Sequence, residues 1–451
     1  MSAPETPSSS RARPRRAAHR AARRAAFATP VLAALLLGAC GQGAQIDAGP
    51  PRTTPDGKQE VGADGATPES TDGNGTPNAS LPKVETVAGM PPVVDPGNIY
   101  SEAGPGKMNP VTKDAVFRVY VPNEVSGTLT VIDPTSMKVL GSTPTGTIPQ
   151  HVVPSYDMTK LYVLNNSSNT ITPIDPLTGK TEKAIAVDDP YNLYYTPDGK
   201  QAIIVAEAMK RFDFADPNTF KVQDSLTTDC DGVNHLDFSA DGRYFIATCE
   251  FNGTIIKVDT LTKKLVCAPL KLDIGPTGRT DTIKKITQPQ DIRVSNTGKT
   301  FYVADLITSG IFVVDGETFK QTGWIKMGVG THGLYPSRDG QKLYVVNRGT
   351  ETIPAVGSFK GKGQGSVMVF DFATQKVEAT WDAPGASPDM GNLTADGKQL
   401  WLGGRYDGQV YVFDTEKGQL IKRIDVGQNP HGLTVWPQPG RYSFGHTGNM
   451  R

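Results

Sequence analysis

The sequence predicts an all-β protein, a seven-bladed β-propeller whose C-terminal strand closes the N-terminal blade, preceded by a signal peptide and a disordered tether. Three observations predict the propeller. An apolar strand of the Tyr-Val type occurs seven times, each copy is followed by a strand that ends in aspartate, and Asp-Gly or Asn-x-Gly turns separate the apolar runs. These aspartates lie 42, 41, 43, 56, 56 and 43 residues apart. A period in the low forties with four short strands per period is typical of a propeller blade.

The first element is an export signal. An Arg-rich region precedes an apolar run from Val31 to Leu37 and small residues that lead to Cys40, in the order that signal peptides show. The run is shorter than the roughly 20 residues that span a bilayer as a helix. Its end, "LGAC", resembles the bacterial lipobox, and this resemblance implies that residues 1–39 are removed and Cys40 is lipid-modified. We expect an exported lipoprotein on the outer face of the cell membrane; the alternative is an ordinary signal peptide with a chance cysteine.

The second element is a tether. Residues 40–113 are rich in Gly, Pro, Thr, Asp and Ser and contain few aromatic residues. A segment of this composition buries too little apolar area to offset the entropy that ordering costs. We therefore expect it to be disordered and to hold the folded domain away from the membrane.

The third element is the propeller, residues 114–451. The strands of the Tyr-Val type contain Val119, Leu161, Ala202, Tyr244, Phe301, Leu343 and Leu400. The strands that follow end at Asp133, Asp175, Asp216, Asp259, Asp315, Asp371 and Asp414. The two long intervals contain insertions, near 275–285 and 352–365, which we expect to form loops that contact other molecules.

The ring closes through the C-terminus. No inner strand precedes the first Tyr-Val strand, and the last inner strand, "HGLTVW" from His431, has no full blade after it. We predict that this strand pairs with the N-terminal blade and covers its free edge.

The repeat unit resembles a known family. Its pattern, P-x-H/N followed by P-D-G-x-x-L-Y-V-x-N and V-x-D-x-x-T-x-K-V, is similar to that of the YVTN-repeat propellers, relatives of the propellers of nitrous oxide reductase and bacterial lactonases. The resemblance covers about residues 117–446. It implies the fold, whereas function varies widely among propellers.

Four histidines occupy equivalent positions in four blades. The first strand of each blade lines the central channel, and one polar position recurs near its start: His151, Asn192, His235, Asp291, His332, Asp389 and His431. The neighbouring antiparallel strand ends at the same face, with Glu207, Arg211, Glu250, Asp305, Arg348 and Arg405. We predict that these side chains converge at the channel mouth.

Three interpretations of this ring stay open. The polar side chains satisfy buried backbone groups of neighbouring loops. Alternatively, His151, His235, His332 and His431, with Glu207 and Glu250, bind a metal, since neutral imidazoles suit copper, zinc or nickel. The resemblance to nitrous oxide reductase implies copper, although the paired His-x-His motif is missing. In the third interpretation Arg211, Arg348 and Arg405, with Asp291, Asp305 and Asp389 beside them, hold a carboxylate or polyanion.

The cysteines allow two interpretations. An oxidising exterior favours a disulfide between Cys230 and Cys249, with Cys267 as a buried free thiol. The alternative makes the pair soft metal ligands beside His235.

The sequence therefore predicts a lipid-anchored, extracytoplasmic binding module that holds a small molecule, a metal or a protein at its channel mouth. A metal-dependent oxidoreductase, with copper as its cofactor, is the alternative, and a lactonase-like hydrolase is a weaker one because no residue fixes a base or a polarised water. We expect a monomer. Without residues 1–39 the chain has 39 basic and 45 acidic residues, a net charge of −6, which argues against nucleic acid as a partner.

Overall fold

Seven four- or five-stranded antiparallel sheets form the structured part of the protein. The computed structural model describes residues 81–279, 287–351, 363–446 and 448–451. The predicted signal peptide, Cys40, the tether up to residue 80 and most of both predicted insertions lie outside the described residues. Among the described residues, no helix has the length and apolar character needed to cross a membrane.

The strands follow the predicted blades in chain order. Blade 1 contains β1 (Arg118–Asn123), β2 (Thr128–Asp133) and β3 (Lys138–Pro144). Blade 2 contains β4 (Pro149–Pro154), β5 (Leu161–Asn165), β6 (Thr170–Asp175), β7 (Lys180–Thr181) and β8 (Ile185–Ala186). Blade 3 contains β9 (Pro190–Tyr195), β10 (Ala202–Ala206), β11 (Arg211–Ala215) and β12 (Val222–Thr227). Blade 4 contains β13 (Val233–Phe238), β14 (Tyr244–Cys249), β15 (Thr254–Asp259), β16 (Lys264–Leu265) and β17 (Leu270–Lys271).

The remaining blades repeat this plan. Blade 5 contains β18 (Pro289–Val294), β19 (Thr300–Asp305), β20 (Gly310–Asp315) and β21 (Lys320–Lys326). Blade 6 contains β22 (Thr331–Pro336), β23 (Lys342–Asn347), β24 (Gln364–Asp371) and β25 (Lys376–Pro384). Blade 7 contains β26 (Pro388–Leu393), β27 (Gln399–Gly404), β28 (Gln409–Asp414) and β29 (Gln419–Asp425), and β30 (Thr434–Trp436) follows. Short 3₁₀ turns lie at Ser101–Ala103, Pro110–Thr112, Asn166–Ser168 and Gly275–Thr277.

The predicted closure of the ring is confirmed. Strand β30 pairs antiparallel with β1 and places Val435 opposite Val119, so the first blade has the order β3-β2-β1-β30. The side chain of Trp436 is fully buried. The two ends of the propeller domain therefore share one sheet.

Alternation along each strand builds the core between blades. Val119 and Val121 of β1 pack with Trp401 in one apolar cluster, whereas Tyr120 between them packs with Leu161 in another. Side chains of a strand point alternately to its two faces. Each Tyr-Val strand thus contacts both neighbouring blades, and the repeat predicts this core.

The periodic aspartates shape the outer hairpins. Asp315 Oδ1 accepts hydrogen bonds from the backbone N–H and the hydroxyl of Thr318, both at 2.7 Å. Asp371 and Thr374 form the same pair of bonds at 2.8 and 2.9 Å. These local bonds stabilise the turn, which explains the aspartate at the end of the strand that follows each Tyr-Val strand.

The predicted tether boundary at residue 113 is wrong. Residues 81–117, which we call the strap, lie against the hairpin turns that follow the inner strands. Ile99 N–H donates to Asn296 O at 2.8 Å, and the Tyr100 hydroxyl donates to Val294 O at 2.6 Å. Composition suggested disorder, but Met90, Ile99 and Tyr100 supply enough apolar surface to anchor the segment, since all three are buried.

Cys230 and Cys249 form a disulfide, with their Cα atoms 5.1 Å apart. The alternative in which they bind a metal therefore does not describe this structure. The prediction that Cys267 is buried is wrong, because its side chain is half-buried.

Candidate functional site

A β-bulge that is repeated in six of the inner strands turns one polar residue of each into the channel. Pro149 and Val152 of β4 pair with Asn165 and Val163 of β5, so β4 has two residues between the paired positions where β5 has one. The same register shift occurs in β9, β13, β18, β22 and β26. A bulge adds one residue and re-aims its side chain. Six of the seven predicted ring residues lie at these bulges, and the seventh, His431, precedes β30.

The structure brings all seven predicted ring residues together. We call the end of the channel where the inner strands begin the mouth, and the other end the floor. His151, Asn192, His235, Asp291 and Asp389 are fully buried, and His332 and His431 are 1% exposed. The centroid of the His151 imidazole lies 4.8 Å from that of His431 and 5.5 Å from that of His235.

A fifth histidine joins the ring from the C-terminal tail, residues 437–451. The centroid of the His446 ring is 4.7 Å from that of His235 and 5.4 Å from that of His151. Every histidine of the chain except His19 therefore lies in this channel. The tail covers the floor, where the strap also lies, and its buried residues include Ser443, Asn449 and Arg451.

The histidines are neutral. Burial lowers the pKa of His151 to about 3 and that of His332 to about 4. Burial also holds the pKa values of His235, His431 and His446 well below their usual value. A neutral imidazole keeps one nitrogen lone pair, which is the form that binds a metal.

Hydrogen bonds fix the orientation of three of these rings. His151 Nδ1 lies 2.9 Å from the carbonyl oxygen of Tyr191, which can only accept, so Nδ1 carries the proton and the lone pair is on Nε2. Asn192 Oδ1 accepts from Leu193 N–H at 2.9 Å. Its Nδ2 therefore faces Nδ1 of His235 and of His446, each at 3.0 Å. His151 Nε2 and His235 Nε2 are buried without a hydrogen-bond partner.

The other side of the ring is an ion-pair network. Arg348 places Nε and Nη2 each 2.7 Å from Asp389 Oδ1. Arg405 Nη1 lies 2.9 Å from Glu124 Oε1 and 3.5 Å from Asp389 Oδ2. Burial alone would raise the pKa of Asp389, but Arg348 and the neighbouring histidines hold it well below its usual value. His332 Nδ1 lies 2.9 Å from Asp389 Oδ1, out of line for a hydrogen bond.

Carboxylates lie at the mouth. Glu250 accepts hydrogen bonds from Asn234 at 2.8 Å and Gln288 at 2.7 Å. Burial, with Glu250 nearby, raises the pKa of Glu207 well above its usual value, and burial also raises the pKa of Glu124. Glu207 and Glu250 directly follow β10 and β14, the strands that pair with β9 and β13.

Three of the predicted acidic and basic residues have local partners instead. Arg211 pairs with Asp213 at 2.8 Å and lies 3.7 Å from Asp188. Asp305 accepts from the N–H groups of Gln288 and Thr308 at 2.5 and 2.8 Å, and burial raises its pKa to about 6. Asp291 accepts from Ile292 and Leu334 N–H, both at 2.9 Å.

Sequence reasoning missed two residues of the site. Glu124 directly follows the Tyr-Val strand β1, at the position that Glu250 and Arg348 occupy in their blades, so the repeat contained the signal. His446 has no counterpart in the repeat, and only its being a sixth histidine near the C-terminus distinguishes it.

The comparisons with known proteins agree on the fold. The model of the YNCE-like beta-propeller family matches residues 80–439. No curated protein matches the sequence. A functionally unknown protein from Desulfotomaculum acetoxidans is 13% identical, with a TM-score of 0.56 over 71% of this chain and 99% of its own.

Candidate 6-phosphogluconolactonases give similar values. The one from Bacteroides fragilis is 15% identical, with a TM-score of 0.55 over 73% of this chain and 100% of its own. The one from Bacteroides uniformis is 16% identical, with a TM-score of 0.54 over 71% of this chain and 99% of its own. Identities this low establish a common architecture and leave the activity open.

Proposed function

The chain belongs to the YNCE-like β-propeller family, and we propose that it is an exported binding module that captures a transition-metal cation in its channel. The fold supplies a rigid ring of inner strands, and propellers differ in what that ring holds. The ligand must therefore be inferred from the side chains in the channel.

One observation carries the proposal: all five histidines that follow residue 40 meet in the channel as buried, neutral rings. Four of them have a buried ring nitrogen with no hydrogen-bond partner, namely Nε2 of His151 and His235 and Nδ1 of His332 and His431. A buried polar atom without a partner costs about 1–3 kcal/mol. Several such atoms facing one channel are expected where a ligand satisfies them, and imidazole nitrogen atoms are ligands for copper, zinc and nickel.

The charges also favour a cation over an anion. The guanidinium groups of Arg348 and Arg405 are already occupied by Asp389 and Glu124, so they are poorly placed to clamp an anionic ligand. Glu250 directly follows β14 and so lies at the mouth, next to the start of β13, the strand that carries His235. A carboxylate at an opening raises the local concentration of cations.

Metal analysis of the full chain tests the proposal. We expect about one equivalent of copper or zinc in protein purified without chelators. The protein freed of metal should regain it with an increase in melting temperature, because a ligand that binds only the folded state stabilises that state.

A pair of matched variants locates the site. The double variant His151→Leu/His235→Leu should lose the metal, whereas His332→Leu, which changes a buried ring residue of the ion-pair network, should keep it. Absence of any metal, together with unchanged melting on addition of copper or zinc, would sink the proposal.

We further propose that Cys40 carries a lipid and anchors the protein outside the cell. The lipobox-like "LGAC" and the long hydrophilic segment after it support this proposal, as does the disulfide between Cys230 and Cys249, which forms in oxidising compartments. Mass spectrometry of the mature N-terminus should find a lipid on Cys40, and Cys40→Ser should release the protein from membranes. An unmodified Cys40, or Cys40 in a disulfide, contradicts the anchor.

A copper oxidoreductase is the second candidate, favoured only by the nitrogen-rich ligand set, which suits copper. Bound copper that cycles reversibly between its oxidation states would support it. Zinc as the native ion would remove it, because zinc has no redox chemistry.

A further inference from the structure

We propose that the C-terminal tail is part of the metal site: His446 joins His151 and His235 in a three-histidine site that binds copper as Cu(I). The inference rests on the proposed function, because it names the ligands of that same channel. It gives the tail a purpose beyond covering the floor. His446 is the one histidine of the ring that the blade repeat does not supply.

The tail reaches the channel along the free edge of β9. Ser443 N–H donates to Tyr156 O at 3.0 Å, Phe444 O accepts from Tyr195 N–H at 3.0 Å, and His446 N–H donates to Leu193 O at 2.9 Å. This backbone pairing places the imidazole of His446 at the level of Asn192. Residue 446 adopts a left-handed conformation with φ of 47°, which turns the chain back toward the floor.

The end of the chain locks this position. The Arg451 guanidinium lies 3.3 Å from Asp237 Oδ1 and 4.5 Å from the centroid of the Tyr100 ring in the strap. Asn449 Nδ2 donates to the same Asp237 oxygen at 3.2 Å. His446 is therefore held from both sides, by β9 before it and by Asp237 after it.

The three imidazoles have the spacing of a metal site. One ligand atom from each of His151, His235 and His446 lies within 4.8 Å of the others. Nitrogen atoms that share one ion at about 2.0–2.1 Å lie roughly 3.5 Å apart. The rings therefore need to approach by little more than about 1 Å, which side-chain rotation can provide.

A metal ligand usually donates its second ring N–H to an acceptor. His151 already does this through Tyr191 O. Asn192 now donates to Nδ1 of His235 and of His446. Rotation of its amide by 180° would break the bond that Oδ1 accepts from Leu193 N–H and would present Oδ1 as the acceptor for both N–H groups, so that each Nε2 atom would carry the lone pair that binds the metal. Asn192 is thus a positioning residue for two ligands.

The total charge of the three histidine ligands determines which metal ion the site favours. His151, His235 and His446 are fully buried, and imidazole binds a metal in its neutral form. None of the three ligands is a carboxylate, and the single carboxylate of Asp291 lies 3.8 Å from His446 Nε2. The cost of burying an ion rises steeply with its charge, so a neutral set favours a monovalent ion. Among the metals that imidazole prefers, copper as Cu(I) meets this condition.

The other histidine group in the channel is a poor metal site. His332 and His431 share Asp389, but Arg348 and Arg405 already contact that carboxylate at 2.7 and 3.5 Å. A cation there would be repelled by both guanidinium groups. The proposal therefore assigns the metal to the side of the channel that the tail completes.

Anaerobic competition with a chromophoric Cu(I) chelator tests the inference on the full chain. We expect His446→Ala to weaken Cu(I) binding by at least about 10-fold, and Asn192→Leu to weaken it by about 10–100-fold. Asn192→Asp should restore or strengthen binding, since its carboxylate accepts from both Nδ1–H groups. X-ray absorption of the wild-type complex should show three imidazole nitrogen atoms around copper.

The outcomes separate the two proposals. Wild-type affinity in His446→Ala overturns the role of the tail and leaves the proposed function standing, whereas a wild-type protein that binds no metal overturns both. Tight zinc binding without Cu(I) binding overturns the choice of ion. If His446→Ala loses affinity, its melting temperature without metal must stay within about 3 °C of that of wild type. A larger drop in melting temperature, together with loss of binding in Asn192→Asp, would mean that the site has collapsed. That result would count against a metal ligand at residue 446.

Discussion

Arg348 and Asp389 form a buried ion pair, with two guanidinium nitrogen atoms 2.7 Å from one carboxylate oxygen. Both residues are at most 2% exposed. The pair joins the end of β23 in blade 6 to the start of β26 in blade 7. A residue that the sequence offered as an anion ligand is thus a link between blades.

Arg348→Met should lower the free energy of unfolding by about 3–5 kcal/mol, because it leaves Asp389 buried without its strongest partner. The double variant Arg348→Met/Asp389→Asn should recover part of the loss, since no buried charge remains. Chemical denaturation measures both. The control is Lys398→Met, which breaks an exposed ion pair with Glu416 and should change stability by less than about 1 kcal/mol. Equal stability of Arg348→Met and wild type would contradict the structural assignment.

Gly432→Ala should weaken metal binding more than it weakens the fold. A Cβ at 432 would lie 2.9 Å from His151 Cγ and closer still to Cδ2, so the imidazole must move away from the shared metal position. Gly141→Ala is the matched control, because a Cβ at 141 meets no atom within 4 Å. Isothermal titration with the metal should separate the two variants. Identical affinities would show that the His151 position does not matter.

Trp436→Ala should cost about 3–5 kcal/mol of unfolding free energy, since the side chain is fully buried in the strand that closes the ring. Leu261→Ala, at a side chain that is 86% exposed, should stay within about 0.5 kcal/mol of wild type. Urea denaturation monitored by far-UV circular dichroism measures both free energies of unfolding, because this signal reports the strands and not the tryptophan that is removed. A small effect at Trp436 would mean that closure through β30 contributes little.

Removal of the disulfide as Cys230→Ala/Cys249→Ala should destabilise the protein by about 3 kcal/mol. The bond closes a loop with a sequence separation of 19 residues, and a loop of this size restricts the unfolded chain by about that amount. Guanidinium denaturation of the variant and of wild type under non-reducing conditions measures the difference. Equal midpoints would contradict the expectation.

The hairpin aspartates predict loss of stability in acid. Hydrogen bonds from the backbone and side chain of Thr318 lower the pKa of Asp315 from 3.8, and Thr374 acts in the same way on Asp371. A carboxylate whose pKa is lower in the folded state stabilises the protein above about pH 4, and this contribution is lost as the pH falls through the lowered value. Thr318→Val should raise the pKa of Asp315 in an NMR titration, whereas Thr380→Val, exposed on β25, should not. An unchanged pKa in Thr318→Val would disprove the assignment.

The propeller was predictable because the sequence pattern that specifies it is local and repeated. The Tyr-Val alternation, the turn glycines and the hairpin aspartates each act within a few residues, and seven copies reinforce one another. The recurrent position of His151 and His235 followed from the same repeat. The strap escaped prediction because three anchoring residues, Met90, Ile99 and Tyr100, are scattered through a segment whose average composition is polar.

The sequence alone determined the ring of seven blades, its closure by β30 and the circle of polar residues, because each depends on spacing along the chain. Only the tertiary structure decided which of those residues share partners. In the folded protein Arg348 pairs with Asp389, and Arg211 pairs with Asp213. His446 lies beside His151, almost 300 positions away in the chain. Contacts between distant segments depend on how the whole ring packs, and no local pattern records them.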